Sequence, residues 1–141
     1  MDIFDRLWDI EYKVRKLKEK REETFEEAMP SAVAYKPDKV QTSSIGYRIE
    51  DAVIKMTELE AQIDSLEKEK LKWQRMIVKE LHYLPPKEKT VIQLRYLNME
   101  RWKQVCCIMD ISKQRAHKLC RQGRERIKGK NDSLANVYPM L

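Results

Sequence analysis

Glycine and cysteine are both scarce, with three of each in 141 residues. So few glycines leave no glycine-rich loop to cradle a phosphate, and with 37% charged residues they point to long solvated helices rather than sheets. The cysteines are an adjacent pair, Cys106 and Cys107, and a single Cys120, which is no disulfide framework. No CxxC and no neighbouring histidine pair suggests zinc, so no metal and no cofactor are expected, and the thiols read as small side chains in a reducing compartment. No apolar run reaches the roughly 18 residues of a membrane span, and the N-terminus lacks the basic-then-apolar order of a signal peptide. The expected location is the cytoplasm, with no membrane partner. The only histidines, His82 and His117, sit in different elements, and no Ser-His-Asp set has a scaffold, so no enzymatic activity is expected. Paired acids such as Glu22-Glu23 and Glu26-Glu27 read as solubilising charge on a helix.

Charge is what the chain has in abundance, and it is unevenly spread. The formal net charge is +6, yet residues 84–130 hold 13 Lys+Arg against 4 Asp+Glu while residues 1–83 hold 16 against 18. A basic C-terminal third behind a nearly neutral arm points to a polyanion at one end, bound with strong salt dependence through counterion release.

Within that third, Leu84 to Lys130 has the spacing of a small DNA-reading module. Pro85-Pro86 ends one segment and primes the next. Val91, Leu94, Tyr96 and Leu97 give a short supporting helix, and Asn98-Met99-Glu100 turns the chain. Trp102, Val105, Cys106 and Met109 then share a helix face. Asp110 favours a turn, Ile111 is placed to plug the corner, and Ser112 is a good N-cap. The next helix has Ala116, Leu119, Cys120, Gly123 and Ile127 inside, and Lys113, Gln114, His117, Lys118, Arg121 and Arg124 outside. This is the pattern of a helix-turn-helix whose second helix offers long donors to base edges and phosphates.

Leu84, Glu88, Val91-Ile92, Leu94-Arg95-Tyr96, Trp102, Val105, Ile111-Ser112, Arg115 and Ile127 together resemble the last DNA-binding region of sigma factors. The match covers about a third of the chain. Taken with VQTSSIGYRIEDAVIKMTELEAQIDSLEKEK upstream, the arrangement resembles the phage-encoded transcriptional regulators of the ArpU and RinA type. That resemblance implies a sigma-like C-terminal domain, a bacterial host cell, and activation of late or packaging operons. The chain departs from sigma recognition helices, which tend to carry arginine and glutamate early, in having Lys113 and Gln114. His117 stands where another arginine is common, so a standard promoter element is not the expected target. Cys107 and Ile108, in place of the usual acidic pair, suggest a covered surface or a partner.

The remainder reads as an arm. Asp2 caps a helix running to about Ala28, with Ile3, Leu7, Ile10, Val14 and Leu17 at heptad steps that return at Phe25 and Ala28. Residues 29–45 read as a loop of undecided role. A second long helix, from about Gly46 to Tyr83, carries Ile49, Ala52, Met56, Leu59, Ile63, Leu66, Trp73, Ile77 and Leu81, with Lys70 alone interrupting the seam. A lone lysine at such a position fixes register or oligomer state. An antiparallel hairpin within one chain and pairing between two chains both satisfy the seams. Trp8, Trp73 and Trp102 lie on apolar stripes and read as core rather than stacking platforms. The tail, 131–141, has no period and is expected to be flexible.

The expected protein is therefore all-α. Residues 1–83 form a helical, coiled-coil arm that dimerises, and 84–130 form a sigma-like helix-turn-helix on double-stranded DNA, with helix 112–127 in the major groove. Lys113, Gln114, His117 and Lys118 are the candidates for base edges. Arg95, Arg101, Lys103, Ser112, Arg115, Arg121 and Arg124 are the candidates for phosphate. The rivals are an adaptor that binds host RNA polymerase through Ile108 and Cys107, and a small DNA-packaging recognition protein.

Overall fold

A computed structural model describes residues 1–28 and 42–130, and among these the protein is all-helical, with no strand. Five α-helices follow in order: α1 (Ile3–Ala28), α2 (Thr42–Glu80), α3 (Pro86–Ile92), α4 (Trp102–Met109) and α5 (Lys113–Lys130). A 3-10 turn, Leu81–Tyr83, follows α2, and a π-helical turn, Gln93–Leu97, follows α3. The sequence places the start of α2 near Gly46, but it lies at Thr42. The rest of the expected 29–45 loop, and the 131–141 tail, fall outside the described residues.

The described residues divide into two compact units, one within 12–68 and a second that joins 1–11 to 69–130. The division does not fall at 83/84, where the sequence separates arm from DNA-binding module. The physical reason lies in the core of the second unit. Ile3, Phe4 and Leu7 of α1 and Ile77 and Leu81 of α2 are buried in one cluster with Leu84, Val91, Ile92, Tyr96, Val105, Ala116, Leu119, Cys120 and Ile127. The 84–130 segment is too short to cover its own apolar faces, and two helix ends complete it.

In the Tyr12–Lys68 unit, α1 and α2 run antiparallel. Lys18 meets Glu67 at 3.3 Å and Arg21 meets Glu60 at 4.0 Å, so later residues of α1 face earlier ones of α2. Val14, Ala28, Ala52, Leu59 and Ile63 are buried between them. The seams thus meet within one chain. Two seam positions depart from the heptad reading, since Phe25 and Ile49 are exposed. Tyr47, Val53 and Ile54 are also exposed on α2.

Polar contacts set the register in the other unit. Asp2 caps α1 by accepting the Asp5 N–H at 3.0 Å. Arg6, buried, donates to both oxygens of Glu69, Nε at 3.0 Å and Nη2 at 2.8 Å, and to Asp9 at 2.8 Å. Lys70, the one charged seam residue, donates to Glu11 at 3.2 Å. A lysine whose only gain is one carboxylate favours a single alignment of its helix.

The supporting helix expected over Val91–Leu97 is interrupted. Asn98 N–H reaches back to Gln93 O at 2.9 Å and Glu100 N–H to Leu94 O at 2.9 Å. Val91 and Tyr96 are both buried five residues apart, a step that suits the wider π turn.

Candidate nucleic-acid interface

The corner between α4 and α5 is built by three residues. Asp110 caps α4 in the left-handed region, φ 53° and ψ 51°, a conformation Asp tolerates better than most residues. Its N–H and that of Ile111, the latter at 3.2 Å, both reach the Cys106 carbonyl. Ile111 packs half-buried on the core. Ser112 Oγ then accepts the Arg115 N–H at 3.2 Å, and its carbonyl accepts the Ala116 N–H at 3.0 Å, which starts α5.

The inner face of α5 is the one read from the sequence: Ala116, Leu119, Cys120, Gly123 and Ile127 are all buried. Gly123 is there because α3 comes close. A Cβ on it would lie 3.0 Å from Ile92 Cγ1 and 3.6 Å from Glu88 Cβ. Cys120 Sγ is 3.4 Å from the Tyr96 hydroxyl, and burial pushes both the thiol and the phenol up from their ordinary pKa values, so neither ionises near neutral pH.

The eleven candidate residues separate into two groups. Lys113, Gln114, Arg115, Lys118 and Arg121 are exposed on α5, as are Ser112 at its start and Arg101 and Lys103 at the start of α4. None of these cations has a carboxylate partner among the described residues. Gln114, Lys118 and Arg121 recur at steps of four and three, so with Lys113 they share one side of the helix.

His117, Arg95 and Arg124 are placed differently. The His117 ring stacks on Trp102, centroids 4.0 Å apart and 26° between planes, and its Nε2 is buried with no partner. Burial first, then the nearby charges of Lys113, Arg95 and Arg121, lower its pKa, so the ring is neutral at pH 7. Arg95 is half-buried, its guanidinium carbon 3.8 Å from the centre of the Trp8 ring and 4.6 Å from that of Trp102. It donates to Glu100 O at 3.1 Å. Burial pulls its pKa below the ordinary arginine value, and the cation lies over two indole rings.

Arg124 is also turned inward. Its Nη2 donates to Asp2 at 2.9 Å and lies 3.4 Å from Asp5, while Nη1 is 3.5 Å from the Tyr96 hydroxyl. Lys128 pairs with the same Asp2. Burial would push the Asp2 carboxyl up, but hydrogen bonds from Lys128, the Asp5 N–H and Arg124, with the Arg124 charge, hold it at about 2. Arg126 meets the buried Glu88 at 2.9 Å. Cations on the C-terminal half of α5 are thus occupied within the chain, and those on its N-terminal half are not.

The sequence reading missed the acids of α1 that take up Arg124, and Trp8 beneath Arg95. Asp2 is legible as a cap, but nothing local ties it to a residue 122 positions away. On α4, Cys107 is exposed and Ile108 is 58% exposed, so no described residue covers the pair.

Among the described residues no group of His, Cys, Asp and Glu could hold a metal ion, and no helix is long and apolar enough to cross a membrane. Comparison with protein-family models, with curated proteins and with solved structures gives no match.

Proposed function

We propose that this chain is a sequence-specific DNA-binding regulator of transcription, encoded by a phage or prophage and acting on late or packaging genes. The N-terminal turns of α5 enter the major groove. The observation that carries this reading is the division of cations on α5: Lys113, Lys118 and Arg121, with Gln114, are exposed and unneutralised on one side, while Arg124, Arg126 and Lys128 are tied to Asp2 and Glu88. A helix following a tight corner, with donors concentrated on its first turns, suits insertion into a groove. Gln114 is matched to adenine, Lys113 and Lys118 to guanine or phosphate, and Arg121, Arg101, Lys103 and Arg115 to the backbone. Ser112 belongs to the helix cap, with its hydroxyl also exposed to a phosphate. The arm supports a homodimer that sets two reading helices on successive turns of the duplex. Because most of the α1 and α2 seams is occupied within the chain, the apolar residues exposed on these helices, among them Tyr12, Phe25, Tyr47, Ile49, Val53 and Ile54, are the surface for pairing. The sigma-like and coiled-coil descriptions belong to this same proposal.

A second reading has a specific observation behind it. Exposed Ile108 beside exposed Cys107 offers a small apolar contact for RNA polymerase. Selection of duplexes from a random pool by the purified protein tests the first reading. Enrichment of a defined, two-fold site is the expected result. No enrichment, with polymerase retained in a pull-down free of DNA, would replace it with the second.

A further inference from the structure

α2 carries a second cationic face. From Lys70 to Lys79 the chain reads KLKWQRMIVK, ten residues without a carboxylate. The inward side of this segment is fixed by its contacts: Ile77 is buried, Trp73 is half-buried against the core, and Gln74 donates to the carbonyls of Tyr96 at 2.9 Å and Leu97 at 3.2 Å. At 3.6 residues per turn, Lys72, Arg75 and Lys79 project from the opposite side. All three are exposed, as is His82 just beyond them.

Elsewhere on α1 and α2, several exposed lysines are paired with acids, Lys16 with Glu19, Lys18 with Glu67 and Lys68 with Asp64, while Lys20 and Lys55 have no such partner among the described residues. None of Lys72, Arg75 and Lys79 has a carboxylate partner among the described residues, and Lys72 is engaged only over the neighbouring Trp73 ring, 4.8 Å from its centre. A face that serves solubility mixes signs, whereas this one holds a single sign beside exposed Leu71 and Val78. The compact unit that contains it has 18 Lys+Arg against 10 Asp+Glu over residues 1–11 and 69–130. The complementary ligand is a polyanion.

Lys72 to Lys79 spans roughly 10 Å of helix, the axial length of about three phosphates on one strand. Separate cations on long stems, with no cleft or donor fork between them, suit a backbone and not a base edge. We infer that Lys72, Arg75 and Lys79 form a second, sequence-independent grip on the phosphodiester backbone of duplex DNA, distinct from the reading face of α5. The inference rests on the DNA-binding reading above and extends the footprint from α5 to α2.

The test is the salt dependence of binding by the full-length protein, wild type against Lys72→Gln/Arg75→Gln/Lys79→Gln, on the selected duplex and on a scrambled one of equal length. The variant is expected to lower the slope of log affinity against log salt by about 2 to 3 on both duplexes. The preference for the selected duplex should not change. The double variant Lys72→Gln/Lys79→Gln should lower the slope by about 2, which keeps the test open if the triple variant misfolds. An unchanged slope overturns the inference while leaving sequence preference, and so the α5 reading, intact. A wild type without preference whose slope still falls on substitution overturns the α5 reading and keeps the grip. Should the slope stay fixed while the variant loses a salt-sensitive dimer in sedimentation, the face pairs with a second copy and the inference fails.

Discussion

Replacing Phe4 by alanine tests whether the first turn of α1 belongs to the core of the basic module. Phe4 is fully buried, and its ring meets that of Tyr96 edge-on, 4.8 Å between centroids and 63° between planes. Arg124 lies over the same ring at 5.2 Å. Truncating a buried phenylalanine costs about 3–5 kcal/mol, the edge-on contact supplying roughly 0.5–1.5 of it. Against a total stability on the order of 5–15 kcal/mol, that is a large fraction. For a chain of 141 residues, an unfolding entropy of about 2 cal/mol/K per residue converts the loss to a fall of roughly 11–18 °C in Tm. Thermal melting followed by near-UV circular dichroism, which reports on packed aromatic rings, is the assay. Phe4→Leu, which retains most of the volume, should recover more than half of the loss. A loss under about 1 kcal/mol for Phe4→Ala would refute the reasoning, since no truncation of a packed phenylalanine is that mild.

The remaining predictions concern charge. Asp2 titrates at about 2 in the folded chain against an ordinary 3.8, so the stability it contributes is complete above about pH 4 and is lost as pH falls through 2. Allowing for screening at a partly wet site, that contribution is on the order of 1–2 kcal/mol, and Asp2→Asn should flatten the acid limb of a stability-against-pH curve. An acid limb identical in variant and wild type would show that the clamp is not formed. Arg124→Ala should lower stability by about 1–2 kcal/mol with little change in DNA affinity, because it leaves Lys128 as the one cation on Asp2. Arg121→Ala should leave Tm unaltered and weaken binding to all duplexes, lowering the salt slope by about 1. The opposite pattern in that pair would reverse the roles assigned to the two arginines.

Local signals make most of α4, the corner and α5 legible in the sequence. Ser112, Asp110 and the inner face of α5 are all set by their neighbours within four residues, and each stands where spacing puts it. The exposed donors Lys113, Gln114, Lys118 and Arg121 follow from the same helical period. What was not legible depends on contacts between distant segments. Arg124 shares its helix face with Arg121, and the period assigns both to the outside; Asp2 and Asp5, more than a hundred residues away, and the Tyr96 hydroxyl draw it in. Arg95 lies in a supporting helix whose π turn no propensity announces, and Trp8 comes from the far end of the sequence. The 83/84 boundary follows the double proline and the shift in charge. Burial does not, because apolar residues at both helix ends complete the smaller module.

The central claim is that the exposed face of α5 reads sequence, and the most direct measurement is the affinity ratio between the selected and scrambled duplexes for wild type and Gln114→Ala at one fixed salt concentration. The account predicts a loss of about 1–3 kcal/mol on the selected duplex, little change on the scrambled one, and relaxed preference at a single base pair. Equal weakening on both duplexes, or none on either, would contradict it and leave α5 as an electrostatic contact without a code.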